Sequence, residues 1–413
     1  MAMRLEIQNF RGLRNVDWKF DGVCALAGPN GAGKTSLLEA LAFLRDAYRD
    51  GVARAVDQHG GTYGFRHFDA PDKEPTLFRL TVGGGRWCLE PVLHGSTIGG
   101  PASEQLECTT IQGPTLGPYF RREAGAADVH IFPWSYSNPS RVHFNDSPFL
   151  PEFVRRVQDR DPALVARVHG LETSALDEYQ PARHVPPLDA ALRTFRLHAG
   201  YRLAEIRRHG SQSSSDDVLA EDGRNVFALL RNWRDRRATR DRFEFVLDSL
   251  HAAFPEMFHD MDFEVAGSTV TARIYRPDSR TGVPIEIVAN GFLVALLHLC
   301  AVASLPEHGF IAIDEPENGL HPFAIDELLA SMRSHATRQK ATVLLATHSP
   351  ALLDRFHQEP GRVFVIEPGM ASVPVALDKH RDPEWLKHFS LGSLFLEEDY
   401  GAPRPGQAVL RNL

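Results

Sequence analysis

Gly28-Pro29-Asn30-Gly31-Ala32-Gly33-Lys34-Thr35 decides the fold of this 413-residue chain. The stretch fits a glycine, four residues, Gly-Lys and a hydroxyl residue. Residues 23–27 before it are an unbroken apolar run that reads as a strand. Residues 34–49 after it carry Leu37, Leu41, Leu44 and Tyr48 at helical spacing. Strand, glycine loop and helix make a phosphate cradle. The glycines let the backbone wrap closely, so that N–H groups point at phosphate oxygens. The helix N-terminus adds a favourable dipole. Lys34 is the mobile cation for the β- and γ-phosphates, and Thr35 offers its hydroxyl to Mg²⁺. Asn30, Gly31, Ala32, Gly33 and Ser36 complete the nucleotide-binding candidates around them. A glycine-rich turn matching by chance would lack the flanking strand and helix.

A second motif lies far along the chain. Phe310-Ile311-Ala312-Ile313-Asp314-Glu315-Pro316 is a buried apolar strand ending in two acids. At the strand tip Asp314 would hold Mg²⁺ through water, and Glu315 would polarise an attacking water. A third, Leu345-Ala346-Thr347-His348-Ser349-Pro350, ends another buried strand. A lone histidine at a strand end is more often structural. Its place after the acidic strand makes His348 a candidate contact to the γ-phosphate.

Hydrophobic residues are 43% and charged residues 24% of the chain, an ordinary globular balance. No run of about 18 uncharged apolar residues spans a membrane, and the N-terminus has no signal segment. Four cysteines without a CxxC pair argue against a zinc site or disulfide framework and for a reducing cytoplasmic setting. The net charge of −8 argues against a protein coated in nucleic acid, although a local basic groove stays compatible with it.

Outside the motifs, residues 75–135 read as short antiparallel strands. Residues 145–208 are charged and irregular, with a helical fragment at 190–207. Residues 209–217, His-Gly-Ser-Gln-Ser-Ser-Ser-Asp-Asp, read as a mobile loop or linker. Helices are expected over 221–254, 291–304 and 322–338, a β meander over 262–288, and buried strands at 342–346 and 363–366.

On these residues the chain resembles an ABC-type ATPase of the SMC/RecF-like branch. It is most similar to bacterial AAA-family ATPases related to the OLD-family ATPase domain. The resemblance rests on Ile7-Gln8-Asn9-Phe10-Arg11-Gly12-Leu13, the phosphate loop, and Asp314-Glu315-Pro316-Glu317-Asn318-Gly319-Leu320-His321-Pro322. Thr347-His348-Ser349-Pro350 and Phe389-Ser390-Leu391-Gly392-Ser393-Leu394-Phe395 also carry it. It implies an α/β fold, a P-loop NTPase with an ABC-type head. The head has a mixed, mostly parallel core sheet, an antiparallel β subdomain at about 70–135 and a helical insertion. The implied domains are an N-terminal ATPase lobe (1–144), the insertion with its Ser-rich linker (145–216), a C-terminal ATPase lobe (217–401) and a flexible tail (402–413).

The resemblance also implies ATP and Mg²⁺ as cofactors and a homodimer with composite ATP sites. Arg11 falls where such families set an arginine against the nucleotide phosphates. Residues 318–321 take the D-loop position at the dimer contact. For the glutamine loop after the first helix, Gln58 is the candidate, with a surface glutamine as the alternative. The signature usually reads Ser-Asp-Gly or Ser-Gly-Gly at a helix start. Here its place is taken by Ala289-Asn290-Gly291, so Asn290 and Gly291 are trans-site candidates while Ala289 lacks the hydroxyl. No signal of the nuclease domain carried by OLD-type proteins is seen, and the stretch after His348 is too short to hold one. A nuclease would have to come from a partner.

Residues 231–242 hold six arginines (Arg231, Arg234, Arg236, Arg237, Arg240, Arg242) against two aspartates, with Trp233 among them. Two readings stand: a patch tracking DNA or RNA phosphates, and a solvated helix face with local ion pairs. Two cellular roles follow. One is an ATP-gated sensor or regulatory subunit working with a separate effector protein, as in bacterial anti-phage defence. The other is a RecF- or SMC-like DNA-binding ATPase in replication or repair.

Overall fold

The computed structural model describes residues 2–71, 74–91, 93–94, 97–98, 103–109, 116–122, 129–131, 185–366, 373–380, 383–386 and 388–398. They fall into two compact units that alternate along the chain.

The first unit comprises Met1–Phe20, Asn30–Phe195 and Ile366–Pro374. Strands Met3–Phe10 and Leu13–Phe20 form an antiparallel hairpin. Met3, Leu5 and Ile7 alternate inward, as a strand with one covered face requires. The free edge of Met3–Phe10 takes Leu77–Val82, and the sheet continues through Gly85–Glu90, Ser103–Thr109, Leu116–Arg122 and Val129–Ile131. Helix Lys34–Asp50 buries Leu37, Leu41, Leu44 and Tyr48, the face given by their spacing. Phe10, Phe43, Phe65 and Phe78 pack with ring centroids 4.7–6.2 Å apart. Such pairs contribute about 0.5–1.5 kcal/mol each beyond area burial. They lock the hairpin tip to the helix.

The second unit comprises Asp21–Pro29, Arg196–Val365 and Val375–Leu413. Its sheet runs in the order Arg196–His198, Phe310–Asp314, Thr342–Thr347, Val23–Ala27, Val363–Val365 and Val375–Ala376. All neighbours are parallel except the last pair. Val23–Ala27 and Thr342–Thr347 are buried at every position, because apolar side chains cover both faces of a parallel sheet. Helices Asn290–Ala303 and Pro322–Arg338 pack in the same core, the latter through Ile325, Leu328, Leu329, Met332 and Ala336. A small antiparallel sheet joins Ser211–Gln212, Thr269–Tyr275, Asp260–Ala266 and Val283–Pro284.

The mixed, mostly parallel core sheet is therefore present, but several expectations need correction. The antiparallel strands of 70–135 do not form a sheet of their own. They extend the N-terminal hairpin's sheet, because Met3–Phe10 has a ladder partner on each edge. The lobes do not divide at 144 and 216 either. Val23–Ala27 belongs with the C-terminal strands because its partners are Thr342–Thr347 and Val363–Val365. Arg196–His198 joins them through Phe310–Asp314.

Of the expected helical insertion, residues 145–184 lie outside the described residues, as does the tail 402–413. The helical fragment at 190–207 is broken: Pro186–Thr194 and Leu203–His209 are helices, with a strand between them. Residues 209–217 are tied down and make no linker. At Gly210 (φ +61) a side chain would meet the Val270 carbonyl at 2.5 Å. Ser211–Gln212 pairs with Thr269–Tyr275, and the Ser211 Oγ accepts from the Phe227 N–H at 3.0 Å. No helix of the described residues is long and apolar enough to cross a membrane.

Candidate nucleotide site

In the first unit the phosphate loop runs into helix Lys34–Asp50 through Gly33 (φ +108). No side chain caps this helix, so its first-turn N–H groups are not taken up by one. A side chain built on Gly31 (φ +81) would meet nothing within 4 Å. Asn30, Gly31 and Thr35 are exposed, Gly33, Lys34 and Ser36 half-buried, and Ala32 buried. An open loop with uncapped helix donors and a lysine at its end suits a phosphate anion.

Arg11 sits at the hairpin tip in the left-handed region (φ +49), as does Asn9 (φ +56). Its guanidinium pairs with Glu39 on the Lys34 helix and donates to the His59 carbonyl at 2.7 Å. Burial lowers its pKa below the ordinary arginine value. The arginine expected against phosphate is thus held beside the loop's helix by a carboxylate. Gln58 is exposed and closes helix Val52–Gln58, so it stands on a helix rather than in a loop.

In the second unit the parallel strands bring their C-terminal tips side by side. Asp314 is in register with Ala346, and Ala346 with Leu26. Strand spacing puts Asp314 and Leu26 about 10 Å apart within this sheet. Ligands of open α/β sheets bind at such strand ends.

Glu315 turns the chain there with φ +49, which costs a non-glycine residue about 1 kcal/mol or more. The turn is held by the Glu315 N–H on the Ala346 carbonyl (2.8 Å) and the Asn318 N–H on the Glu315 carbonyl (3.1 Å). It presents the carboxylate to solvent. One oxygen lies 3.1 Å from His348 Nδ1, and the other accepts from Asn318 Nδ2 at 2.6 Å.

Behind this pair, Thr347 Oγ1 donates to Glu317 Oε1 (2.6 Å) and accepts from the Ser349 N–H (2.9 Å). The hydroxyl thus ties the residue before His348 to the amide of the residue after it and to the Glu317 carboxylate. Burial lifts the Glu317 carboxyl above the ordinary carboxylate value, against the hydrogen bond from Thr347.

Ala289 is the N-cap of helix Asn290–Ala303, which begins one residue earlier than expected, and no side chain caps it. Ala289 and Asn290 are exposed and Gly291 half-buried. A side chain on Gly291 would meet the Gly319 carbonyl at 2.5 Å, so the signature segment packs on the D-loop turn of its own unit.

The arginine run is a different matter. Trp233 is fully buried and offers no stacking face. Arg236 pairs with Asp217, Arg231 and Arg234 with Asp235, and Arg242 donates to the Asp217 carbonyl. Arg234 also lies 3.9 Å from Asp262. Acids from outside the run thus offset part of its charge.

Sequence reasoning missed Thr347 and Glu317 as a bracing pair, though both lie inside the quoted motifs. It also missed His298, whose only signal was an imidazole in an otherwise apolar helix.

The family described as "AAA domain, putative AbiEii toxin, Type IV TA system" matches residues 146–354, half of the chain. An AAA domain family matches residues 4–45. The OLD nuclease of Thermus scotoductus is 30% identical over 120 residues, 24% of this chain and 22% of that protein. The DNA replication and repair protein RecF of Pasteurella multocida is 60% identical over 42 residues, 10% of this chain and 12% of that one. The chain thus spans less than a quarter of the length of these curated relatives. Among solved structures, an SMC head bound to the C-winged helix domain of ScpA aligns with a TM-score of 0.45 and 10% identity, over 92% of this chain and 99% of that one. The SMC head domain from Thermotoga maritima gives 0.39 and 12%, over 88% and 94%. The chain is thus similar to the OLD nuclease and to RecF over short stretches, and it belongs to the AAA-domain family whose model matches half its length.

Proposed function

We propose that this protein binds Mg²⁺-ATP and hydrolyses it in composite sites formed by two copies meeting head to tail, and that the cycle gates a separate effector chain. The observation that carries the reading is the Glu315–His348 pair, 3.1 Å apart, at the tips of strands adjacent in one parallel sheet. Residues 30–36 would wrap the phosphates with N–H groups and the Lys34 ammonium. Thr35 and Asp314, both hard oxygen donors, would hold Mg²⁺, which when bound neutralises charge on the β- and γ-oxygens.

Glu315 would take a proton from the attacking water as the water oxygen bonds to the γ-phosphorus and the bond to ADP breaks. His348, held beside Glu315, would donate to a γ-oxygen. Such sites work mainly by positioning and charge stabilisation. From a second copy, the N–H groups at Asn290 and Gly291 would face the same γ-phosphate.

The OLD nuclease match and a family description that names a putative toxin support a role beside an effector, as in anti-phage defence. The partly offset arginines give the DNA-binding alternative less support.

Sedimentation tests the composite site. Glu315→Gln keeps the side-chain shape and loses the base, so with ATP it should sediment at twice the monomer mass, while without nucleotide it should not. A Glu315→Gln protein saturated with ATP and still monomeric would contradict sites shared between copies. Co-purification from the native host should bring down a second, catalytic chain.

A further inference from the structure

Helix Asn290–Ala303 is buried at every position from Phe292 to Ala303, and His298 is the one imidazole in that stretch. Its side chain is 3% exposed. A polar group so deep in a core is tolerated only with partners. His298 has two: Nε2 lies 3.1 Å from the Pro316 carbonyl oxygen and Nδ1 3.1 Å from the Tyr201 hydroxyl.

The chemistry fixes the direction of both bonds. A carbonyl only accepts, so Nε2 carries the hydrogen, and the bare Nδ1 accepts from the Tyr201 O–H. Burial keeps both rings neutral: it pushes His298 down to about 3, with His198 adding to the effect, and lifts the Tyr201 phenol well above its ordinary value.

The carbonyl that receives this bond belongs to the residue after Glu315. Glu315 is the left-handed residue of the turn. Pro316 has no N–H with which to anchor the turn itself. A non-glycine residue stays left-handed only where its surroundings over-determine it. Two backbone bonds hold Glu315 from one side, to Ala346 and from Asn318. His298 supplies the bond from the other side, out of the signature helix.

We propose that His298 is a positioning residue for hydrolysis: its Nε2–H, oriented by Tyr201, fixes the Pro316 carbonyl and so keeps Glu315 in the conformation that presents its carboxylate beside His348. This rests on the reading of Glu315 as the base. It also links the helix that starts at the signature to the carboxylate that activates water.

Steady-state ATP turnover of wild type, His298→Leu, His298→Gln and Glu315→Gln, together with nucleotide affinity and melting temperature, tests it. Leucine fills the space but cannot donate, so His298→Leu should lower kcat roughly 10- to 100-fold, the scale of a misplaced catalytic group. KM and nucleotide affinity should stay within about threefold, because this bond touches no phosphate. Glutamine can donate to Pro316 and accept from Tyr201, so His298→Gln should recover kcat to within about fivefold of wild type.

A His298→Leu enzyme that folds and turns over at the wild-type rate overturns the brace. So does equal loss in the leucine and glutamine variants, which marks a packing role. If Glu315→Gln itself turns over like wild type, the reading of the site fails instead, and the two failures are told apart.

Should His298→Leu not fold, ¹⁵N shifts of the wild-type imidazole decide: a protonated Nε2 and an unprotonated Nδ1 across pH 5–8 are expected. The opposite tautomer, or a charged ring, overturns the assignment.

Discussion

Lys34, Asp314, Glu315 and His348 could be picked out of the chain as candidates because phosphate chemistry would constrain both residue type and spacing. A glycine loop can lead into only a lysine and a hydroxyl residue if it is to hold β- and γ-phosphates and Mg²⁺. Glu317, Thr347 and His298 could not, since a hydrogen bond between side chains distant in sequence leaves no pattern along it. Trp233 shows the reverse: it lies among arginines in the sequence, yet its ring is core. The lysine carries a sharp expectation. Lys34→Ala removes a charge-assisted contact of about 1.5–3 kcal/mol, so ATP should bind roughly 10- to 100-fold more weakly. Titration with a fluorescent ATP analogue measures this. Wild-type affinity and turnover in Lys34→Ala would mean that the loop does not hold the nucleotide.

Among the elements, helices and buried strands followed hydrophobic periodicity closely, as in Lys34–Asp50 and Thr342–Thr347. Short polar pieces did not. Residues 209–217 have the composition of a linker, yet Ser211 earns an edge-strand place by accepting the Phe227 N–H. The start of Asn290–Ala303 bears on function. Ala289 is its N-cap, extended (φ −56, ψ 146) and without a capping oxygen. Serine there adds two separable effects. Ala289→Ser should stabilise the nucleotide-free protein by about 0.5–2 kcal/mol through the helix cap, read as a rise in melting temperature. If the helix end also faces a partner's γ-phosphate, it should in addition tighten dimerisation with a non-hydrolysable ATP analogue by about tenfold or more, one bond to a charged oxygen's worth. A higher melting temperature without tighter dimers would mean that the cap is local and the trans contact is made elsewhere.

The whole molecule is where sequence reading was weakest, because ladder partners distant in sequence decide which strands share a unit. The strand before the phosphate loop belongs to the second unit, and the helix after it to the first. The parallel order of the core sheet was nonetheless foreseeable, since continuous apolar strands alternated with amphipathic helices.

A pH effect follows from that core. Burial pushes His298 down to about 3 and His198 to about 4, against 6.5 when unfolded. Above pH 6.5 both states are neutral there. Below it the unfolded chain takes up protons that the folded chain refuses, so stability falls as pH drops toward the folded values. Between pH 7 and 5 each histidine should remove about 2 kcal/mol, read by denaturant unfolding. In His298→Gln, that acid loss should shrink by about one histidine's share, and an unchanged loss would show that His298 is not kept neutral by the fold.

Single-turnover hydrolysis by wild type and Glu315→Gln, each first shown to bind ATP with equal affinity, bears most directly on the claim that Glu315 activates water at the strand tip. The account predicts equal binding and a rate roughly 10²-fold or more lower in the variant, the range for losing a general base. Equal binding with an undiminished rate would contradict it, whatever the dimer does.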